Sequence, residues 1–195
     1  MTTARPSVVV LAGPNGAGKS TAAPELLQGE LAVSEFVNAD VIARGLSAFD
    51  PDRAAMAAGR VMLARLDELS RQRESFAFET TLASRSFAPW LWDLRVSGYS
   101  VHLFFLWLSS PDLAVERVAD RVRSGGHNVP ADTIRRRYRG GVRNFFSLYQ
   151  ASVSSWTVYN CSGPRSRLVA EGLEFVPVKV YDTDVWAAVQ RQGAE

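Results

Sequence analysis

The run Gly13-Pro14-Asn15-Gly16-Ala17-Gly18-Lys19-Ser20 fits the phosphate-binding pattern G-x-x-x-x-G-K-S/T at every fixed position, and Thr21 follows it. Such a run serves to hold a nucleoside triphosphate. Its glycines let backbone N–H groups wrap phosphate oxygens, and a helix starting at the lysine adds positive partial charge. Lys19 is then expected to reach the β- and γ-phosphates of ATP, and the Ser20 hydroxyl to ligate Mg²⁺. Of the 22 basic residues, only Lys19 and Lys179 are lysine and the other 20 are arginine. A lysine kept in this loop points to a need for a compact, strongly hydrated charge.

Two carboxylates and a set of arginines could complete that chemistry. Asn38-Ala39-Asp40 and Glu79-Thr80-Thr81 each close a short apolar run. Phosphoryl transfer to a hydroxyl uses a carboxylate to take the proton, while Mg²⁺ and cations stabilise the moving group. Asp40 is the first candidate for that base and Glu79 the second. The alternatives are a helix N-cap for Asp40, a rim charge for Glu79, and ordinary strand-end threonines for Thr80 and Thr81. Further on, Arg117, Arg121 and Arg123 precede Gly125-Gly126-His127-Asn128-Val129-Pro130, and Arg135-Arg136-Arg137 follow. Two arginine-bearing arms about a glycine pair read as a lid over about 117–137, closing on ATP and supplying guanidinium groups. The alternative is a solvated basic hairpin. Three consecutive arginines cannot all point one way, so only one or two of them act. His127 reads as a loop hydrogen-bonder rather than a base.

The elements that must position these residues alternate along the chain. Strands are predicted at about 7–12, 35–38, 75–79, 101–108 and 156–159, with two more near 166–170 and 174–181. Helices are predicted after the phosphate loop, at 40–46, 52–73, 87–96, 111–122 and 131–149, and at the C-terminus. This alternation predicts an α/β fold with a parallel sheet and helices on both faces. In such sheets ligands bind beyond the carboxyl ends of the strands. Asp40, Glu79 and the phosphate loop should therefore share one rim.

Bulk composition bounds the rest. A chain of 195 residues, 47% apolar and 22% charged, suits a single globular domain over 1–195. A net charge of +2 is too small to argue for a nucleic-acid binder, and no helix-turn-helix or aromatic-basic stripe supports one, so no nucleic-acid partner is expected. The one cysteine, Cys161, excludes an internal disulfide and fits a reducing cytoplasm. No Cys/His cluster has zinc spacing, and no apolar run approaches a membrane span. The expected location is cytoplasmic, with no membrane partner.

The ordered set of motifs resembles the zeta toxin family of P-loop kinases, especially its stand-alone bacterial branch, also described as a predicted ABC-type ATPase. The matching pieces are the phosphate loop, Phe36-Val37-Asn38-Ala39-Asp40, Phe78-Glu79-Thr80-Thr81-Leu82, Arg117-Val118 and Arg121-Val122 ahead of Gly125 to Pro130, and Ile134 with Arg136-Arg137-Tyr138 and Asn144. They run in order over roughly residues 8–160. The resemblance implies an adenylate-kinase-like P-loop fold with a helical lid and ATP-dependent phosphorylation of a hydroxyl. In zeta toxins that is the 3′-OH of the sugar of UDP-N-acetylglucosamine. It implies Asp40 as base, Glu79 and Thr81 as contacts to the sugar nucleotide, Arg121 and Arg136 as lid arginines, and a separate antitoxin protein as a partner. Related chains often read Asp-Asn-Ser after the late Trp-x-x-Tyr, whereas here Asn160-Cys161-Ser162 follows Trp156 and Tyr159. No antitoxin segment precedes the phosphate loop, so the chain is not expected to carry its own inhibitor. Three readings compete: an ABC transporter ATPase, a kinase of a nucleoside, sugar or antibiotic, and a nucleotide-gated binding protein without an acceptor. The first lacks a Leu-Ser-Gly-Gly-Gln signature, of which Ser124-Gly125-Gly126-His127 is a partial echo.

Overall fold

Five consecutive residues, Val8 to Ala12, have no accessible surface at all. A strand that apolar needs neighbours on both edges and cover on both faces. β1 (Ser7–Ala12) has them, with β3 (Phe76–Thr80) parallel on one side and β4 (Ser100–Trp107) parallel on the other. β2 (Glu35–Val37) adds parallel to β3, and β5 (Ser155–Asn160) parallel to β4. With β6 (Arg167–Leu173) and β7 (Lys179–Val180) the sheet order is β2-β3-β1-β4-β5-β6-β7. The structure, a computed structural model, describes residues 5–28, 33–126, 128–174 and 176–195.

The period of two along β1 divides the core between the sheet faces. Val9 and Leu11 pack with Ala23 and Leu27 of α1 (Lys19–Gln28). Val8 and Val10 belong to the larger core, together with Leu66 of α3 (Pro51–Arg71), Leu91 of α4 (Phe87–Val96) and Val118 of α5 (Pro111–Arg123). α2 (Ala39–Leu46) leads from β2 towards α3. α6 (Ala131–Asn144) contributes Ile134, Tyr138 and Val142 to the larger core. α7 (Gln150–Ser152) is a single turn, and α8 (Thr183–Ala194) closes the chain.

Two expectations are corrected. β6 pairs antiparallel with β5, and β7 antiparallel with β6. Only residues 161–166 join β5 to β6. A parallel return needs a crossover of about a dozen residues or more, so this short connection enforces a hairpin. The helix predicted over 131–149 is α-helical only to Asn144, and Phe145–Tyr149 form a π-helical turn. That turn follows a buried anchor. The Asn144 amide donates to the Leu82 and Ala83 carbonyls at 2.8 and 3.2 Å, tying the helix to the chain after β3.

Candidate active site

The phosphate loop is held from below. Gly13 has φ of 139°, and a Cβ there would stand 2.3 Å from the Leu106 carbonyl oxygen of β4, so only glycine fits. Its N–H donates to the Thr80 carbonyl at 3.2 Å, fastening the loop to the end of β3. Lys19 opens α1 and is only 6% exposed. Its ammonium donates to the Gly13 and Pro14 carbonyls, both at 2.9 Å, and lies 3.5 Å from Glu79 Oε1. Burial pushes the Lys19 ammonium below the usual lysine range, the Glu79 and Asp40 carboxylates oppose that, and the Arg121 charge adds to it. Negative phosphate oxygens would relieve this destabilisation of the charged form.

The acidic rim is equally specific. Glu79, 14% exposed, accepts from the Ser20 hydroxyl at 2.7 Å and from the Asn38 amide at 2.8 Å through Oε2. Asn38 Nδ2 also reaches Ser20 Oγ at 3.4 Å, while its Oδ1 accepts from the Asp40 and Val41 backbone N–H groups. The N-cap of α2 is therefore Asn38 and not Asp40, which corrects the capping alternative for Asp40. Released from capping, Asp40 stands exposed in the first turn of α2. Asn38 is the residue the sequence reading passed over. The signal was there, since Asn before an apolar helical pattern is a strong N-cap.

Two chambers meet at this point. One, about 450 Å³, is lined by Asn15, Gly16 and the run from Gly18 to Thr21 together with Arg117, Arg121 and Gly126. The other, about 300 Å³, is lined by Asn38, Thr80, Thr81, Ser84 and Arg137. Asn15, Lys19, Asp40 and Glu79 line both, so they form the wall that the chambers share. Asn15 Oδ1 in that wall is buried with no hydrogen-bond partner among the described residues. An unpaired buried acceptor costs about 1–3 kcal/mol, which a donor on a bound ligand would recover. The threonines of the second chamber are partly engaged. Thr80 Oγ1 accepts from the Leu82 N–H at 3.1 Å and Thr81 Oγ1 from the Ala83 N–H at 3.5 Å, across a buried Leu82 with φ of 57°. Positive φ in a leucine is a strained conformation of the kind found at ligand sites.

The arginines divide. Arg117 donates to the Ser162 carbonyl at 2.8 Å, which ties α5 to the loop after Asn160 and Cys161. Arg121, one turn on, lines the first chamber. Gly125 and Gly126 end α5 as a C-terminal cap. The Gly126 N–H donates to the Arg121 carbonyl and the Gly125 N–H to that of Val122, both at 2.9 Å, with Gly125 at φ of 81°. A Cβ on Gly126 would stand 2.5 Å from Arg121 Cγ, so that glycine leaves room for the arginine. Arg136 is not brought to this site. It lines a separate surface concavity with Arg139 and Arg143, and Arg137 faces the second chamber in its place. The reason is helical phase: Arg137 lies four residues before Gly141, whose missing Cβ lets α6 approach the Thr81 carbonyl. His127 lies outside the described residues.

Among the described residues no group of three or more His, Cys, Asp or Glu could hold a metal, and no helix is long and apolar enough to cross a membrane. Residues 8–140 match the AAA domain family (AAA_33), and the chain belongs to it. An uncharacterised protein of Haemophilus influenzae is 29% identical over 126 residues, covering 65% of this chain and 88% of that protein. Among solved structures, the AvrRxo1-ORF1:-ORF2 complex with ATP matches at a TM-score of 0.78 and 13% identity, over 95% of this chain and 63% of the matched chain. This protein thus spans under two thirds of that chain. The PezAT toxin-antitoxin system of Streptococcus pneumoniae matches at 0.64 and 14% identity, over 100% and 87%. A gluconokinase of Sinorhizobium meliloti matches at 0.51 and 16% identity, over 97% and 92%. These likenesses are of fold, and the fold is that of P-loop kinases.

Proposed function

We propose that this protein is an ATP-dependent kinase of the zeta toxin kind, from its stand-alone branch, moving the γ-phosphate of Mg-ATP onto a small-molecule hydroxyl, with UDP-N-acetylglucosamine as the first acceptor. The carrying observation is that Asp40 lies in the wall shared by the two chambers, beside Lys19 and Glu79. In this reading ATP occupies the phosphate-loop chamber and the acceptor the other. Asp40 takes the acceptor proton, the acceptor oxygen bonds to the γ-phosphorus, and the bond to the β–γ bridging oxygen breaks to release ADP. Lys19 and Arg121 offset charge on the moving phosphoryl group. Arg137 takes the part the resemblance gave to Arg136, and Thr81 and Glu79 contact the acceptor.

Ser20 and Glu79 present a hydroxyl and a carboxylate 2.7 Å apart at the loop, a donor set of hard oxygens that suits Mg²⁺. When bound, the ion would neutralise charge on the β- and γ-phosphates. The segment 117–137 is proposed to close over ATP, which slowed hydrogen exchange around Gly125 and Gly126 on adding Mg-ATP and acceptor would report. A separate antitoxin protein is proposed as partner, and co-purification with products of neighbouring genes tests it. The deciding experiment is transfer from labelled ATP to a panel of nucleotide sugars, nucleosides and sugars, with the product mapped by mass spectrometry. A labelled amino-sugar nucleotide that disappears with Asp40→Asn is expected. Transfer only to another panel member would replace the acceptor, and no transfer to any would remove the kinase reading.

A further inference from the structure

The outer face of α6 carries a row of cations that the chemistry above does not use. Arg136, Arg139 and Arg143 are exposed and line one concavity of about 380 Å³ with Asp132, Arg135 and Gly140. Arg135 is already spent, donating to Asp112 Oδ1 through Nε at 3.1 Å and Nη2 at 3.0 Å. The three others have no acidic partner among the described residues. Like charges at i, i+3 and i, i+4 each cost a helix about 0.2–0.5 kcal/mol. Exposed arginines alone would be only a solvated face. What sets this face apart is Gly140 in the concavity, mid-helix.

Gly141 beside it must be glycine, because a Cβ would stand 2.3 Å from the Thr81 carbonyl oxygen. Gly140 need not be. Its φ is ordinary, and a Cβ there would meet nothing closer than Ala83 at 3.7 Å, an everyday contact. Glycine in a helix interior costs about 1 kcal/mol relative to alanine. The protein therefore bears unpaired cations around a bare stretch of helix that its own packing does not demand. Such a floor gives a ligand close approach to the backbone. The concavity also adjoins the acceptor chamber, since Ala83 lines that chamber and faces Gly140. Arg137 in the chamber and Arg143 at the far end of the row are about 9 Å apart along the helix axis.

We propose that Arg136, Arg139 and Arg143 around Gly140 form an anion subsite that holds a phosphate or diphosphate carried by the acceptor. The assignment rests on the kinase reading of the cleft for which molecule delivers the anion, but the anion site itself can be tested without turnover. Titration calorimetry at low salt with inorganic pyrophosphate, on the full chain in a Lys19→Ala background, removes the lysine of the phosphate-loop site. One remaining pyrophosphate site is expected. Its affinity should fall at least tenfold when Arg139→Gln and Arg143→Gln are added, with the circular dichroism spectrum unchanged. Absence of that site, or equal affinity in the triple variant, would overturn the subsite. So would tight binding of a 20-nucleotide single-stranded RNA to the Lys19→Ala protein without any pyrophosphate site, which would make the row a nucleic-acid surface.

In the otherwise wild-type protein, Arg139→Gln with Arg143→Gln should raise KM for UDP-N-acetylglucosamine at least tenfold and leave KM for ATP alone. Unchanged KM for an acceptor that is turned over would overturn the link to the acceptor. If no variant phosphorylates anything, the kinase reading fails while the pyrophosphate titration still decides the subsite.

Discussion

The two rims of the cleft are built by different means. The loop rim, from Gly13 to Ser20 with Asn38 and Glu79, hangs on backbone atoms of buried strands and on hydrogen bonds that close among themselves. The arginine rim, on α5 and α6, depends on which way each helix face turns. On the loop rim, residue type and spacing almost determine position, because the loop leaves β1 and Asn38 and Glu79 sit at or near the carboxyl ends of β2 and β3. On the arginine rim a shift of one residue turns a side chain by about 100°, so neighbours in sequence part company in space. In the proposed kinase, chemistry that needs a fixed point charge would fall to the first rim, and chemistry that needs reach to the second.

The largest expected effect tests the loop rim through Asp40, the exposed carboxylate that follows Asn38 and lines both chambers. Asp40→Asn should lower kcat by about 10²–10⁴-fold, the range for a positioned general base, while KM for ATP stays within a few-fold. Because Asn38 rather than Asp40 caps α2, the melting temperature should be unchanged. Steady-state kinetics and a thermal melt on the same preparation give both readouts. A fall in stability with kcat intact would return Asp40 to a structural part.

Next comes Lys19→Ala, with an expected loss of transfer of about 10²–10³-fold, as for a single group aimed at developing charge. ATP binding should weaken less than turnover does. Lys19 also neutralises Glu79 at 3.5 Å, so Lys19→Ala leaves that carboxylate without its cation. Lys19→Met together with Glu79→Gln tests the pairing alone: stability should recover relative to Lys19→Ala, because no unpaired carboxylate remains.

The arginine rim is sharpened by a pair of neighbours. Arg137→Ala should cut transfer about 10–100-fold, the loss of one charge-assisted contact in a closed site. Arg136→Ala should change kcat less than about threefold and act instead on KM for an anionic acceptor. Equal kcat losses in both would mean that α6 turns when the cleft is filled. A large loss at Arg136 alone would restore the residue that the family resemblance picked.

What the sequence made legible follows the same division. The strand–loop–helix around Lys19 and the ends of β2 and β3 were readable, because the buried apolar runs of β1 and β3 leave few choices of position and β2 pairs parallel beside β3. The antiparallel edge could have been read from the short 161–166 connection, which no crossover helix fits. Arg137 over Arg136 needed the fact that Gly141 touches Thr81, a contact between residues 60 apart in the chain. The π-helical turn after Asn144 likewise follows from tertiary hydrogen bonds to Leu82 and Ala83 that no local propensity encodes.

Among the described residues the chain after β3 is tied to α6 and its π-helical turn at several points, the Asn144 amide and the packing of Gly141 on Thr81 among them, and the smallest expected effect tests one further tie. The Tyr149 hydroxyl, at the end of the π-helical turn, donates to the Ser84 carbonyl in the loop that lines the second chamber. Burial pushes this phenol up to about 12, from an ordinary value near 10. The folded state therefore holds the proton more tightly than the unfolded chain does. That contribution is complete below about pH 10 and is lost as pH rises towards 12, with about 1 kcal/mol gone by pH 11. For a chain of 195 residues this is roughly 2–4 °C in Tm. Melts from pH 8 to pH 11 should show that decline in the wild type and a shallower one in Tyr149→Phe, which cannot ionise. Identical slopes would mean that the phenol is not held in the fold, and would leave the tie between these segments to Asn144 and to the packing of Gly141 on Thr81.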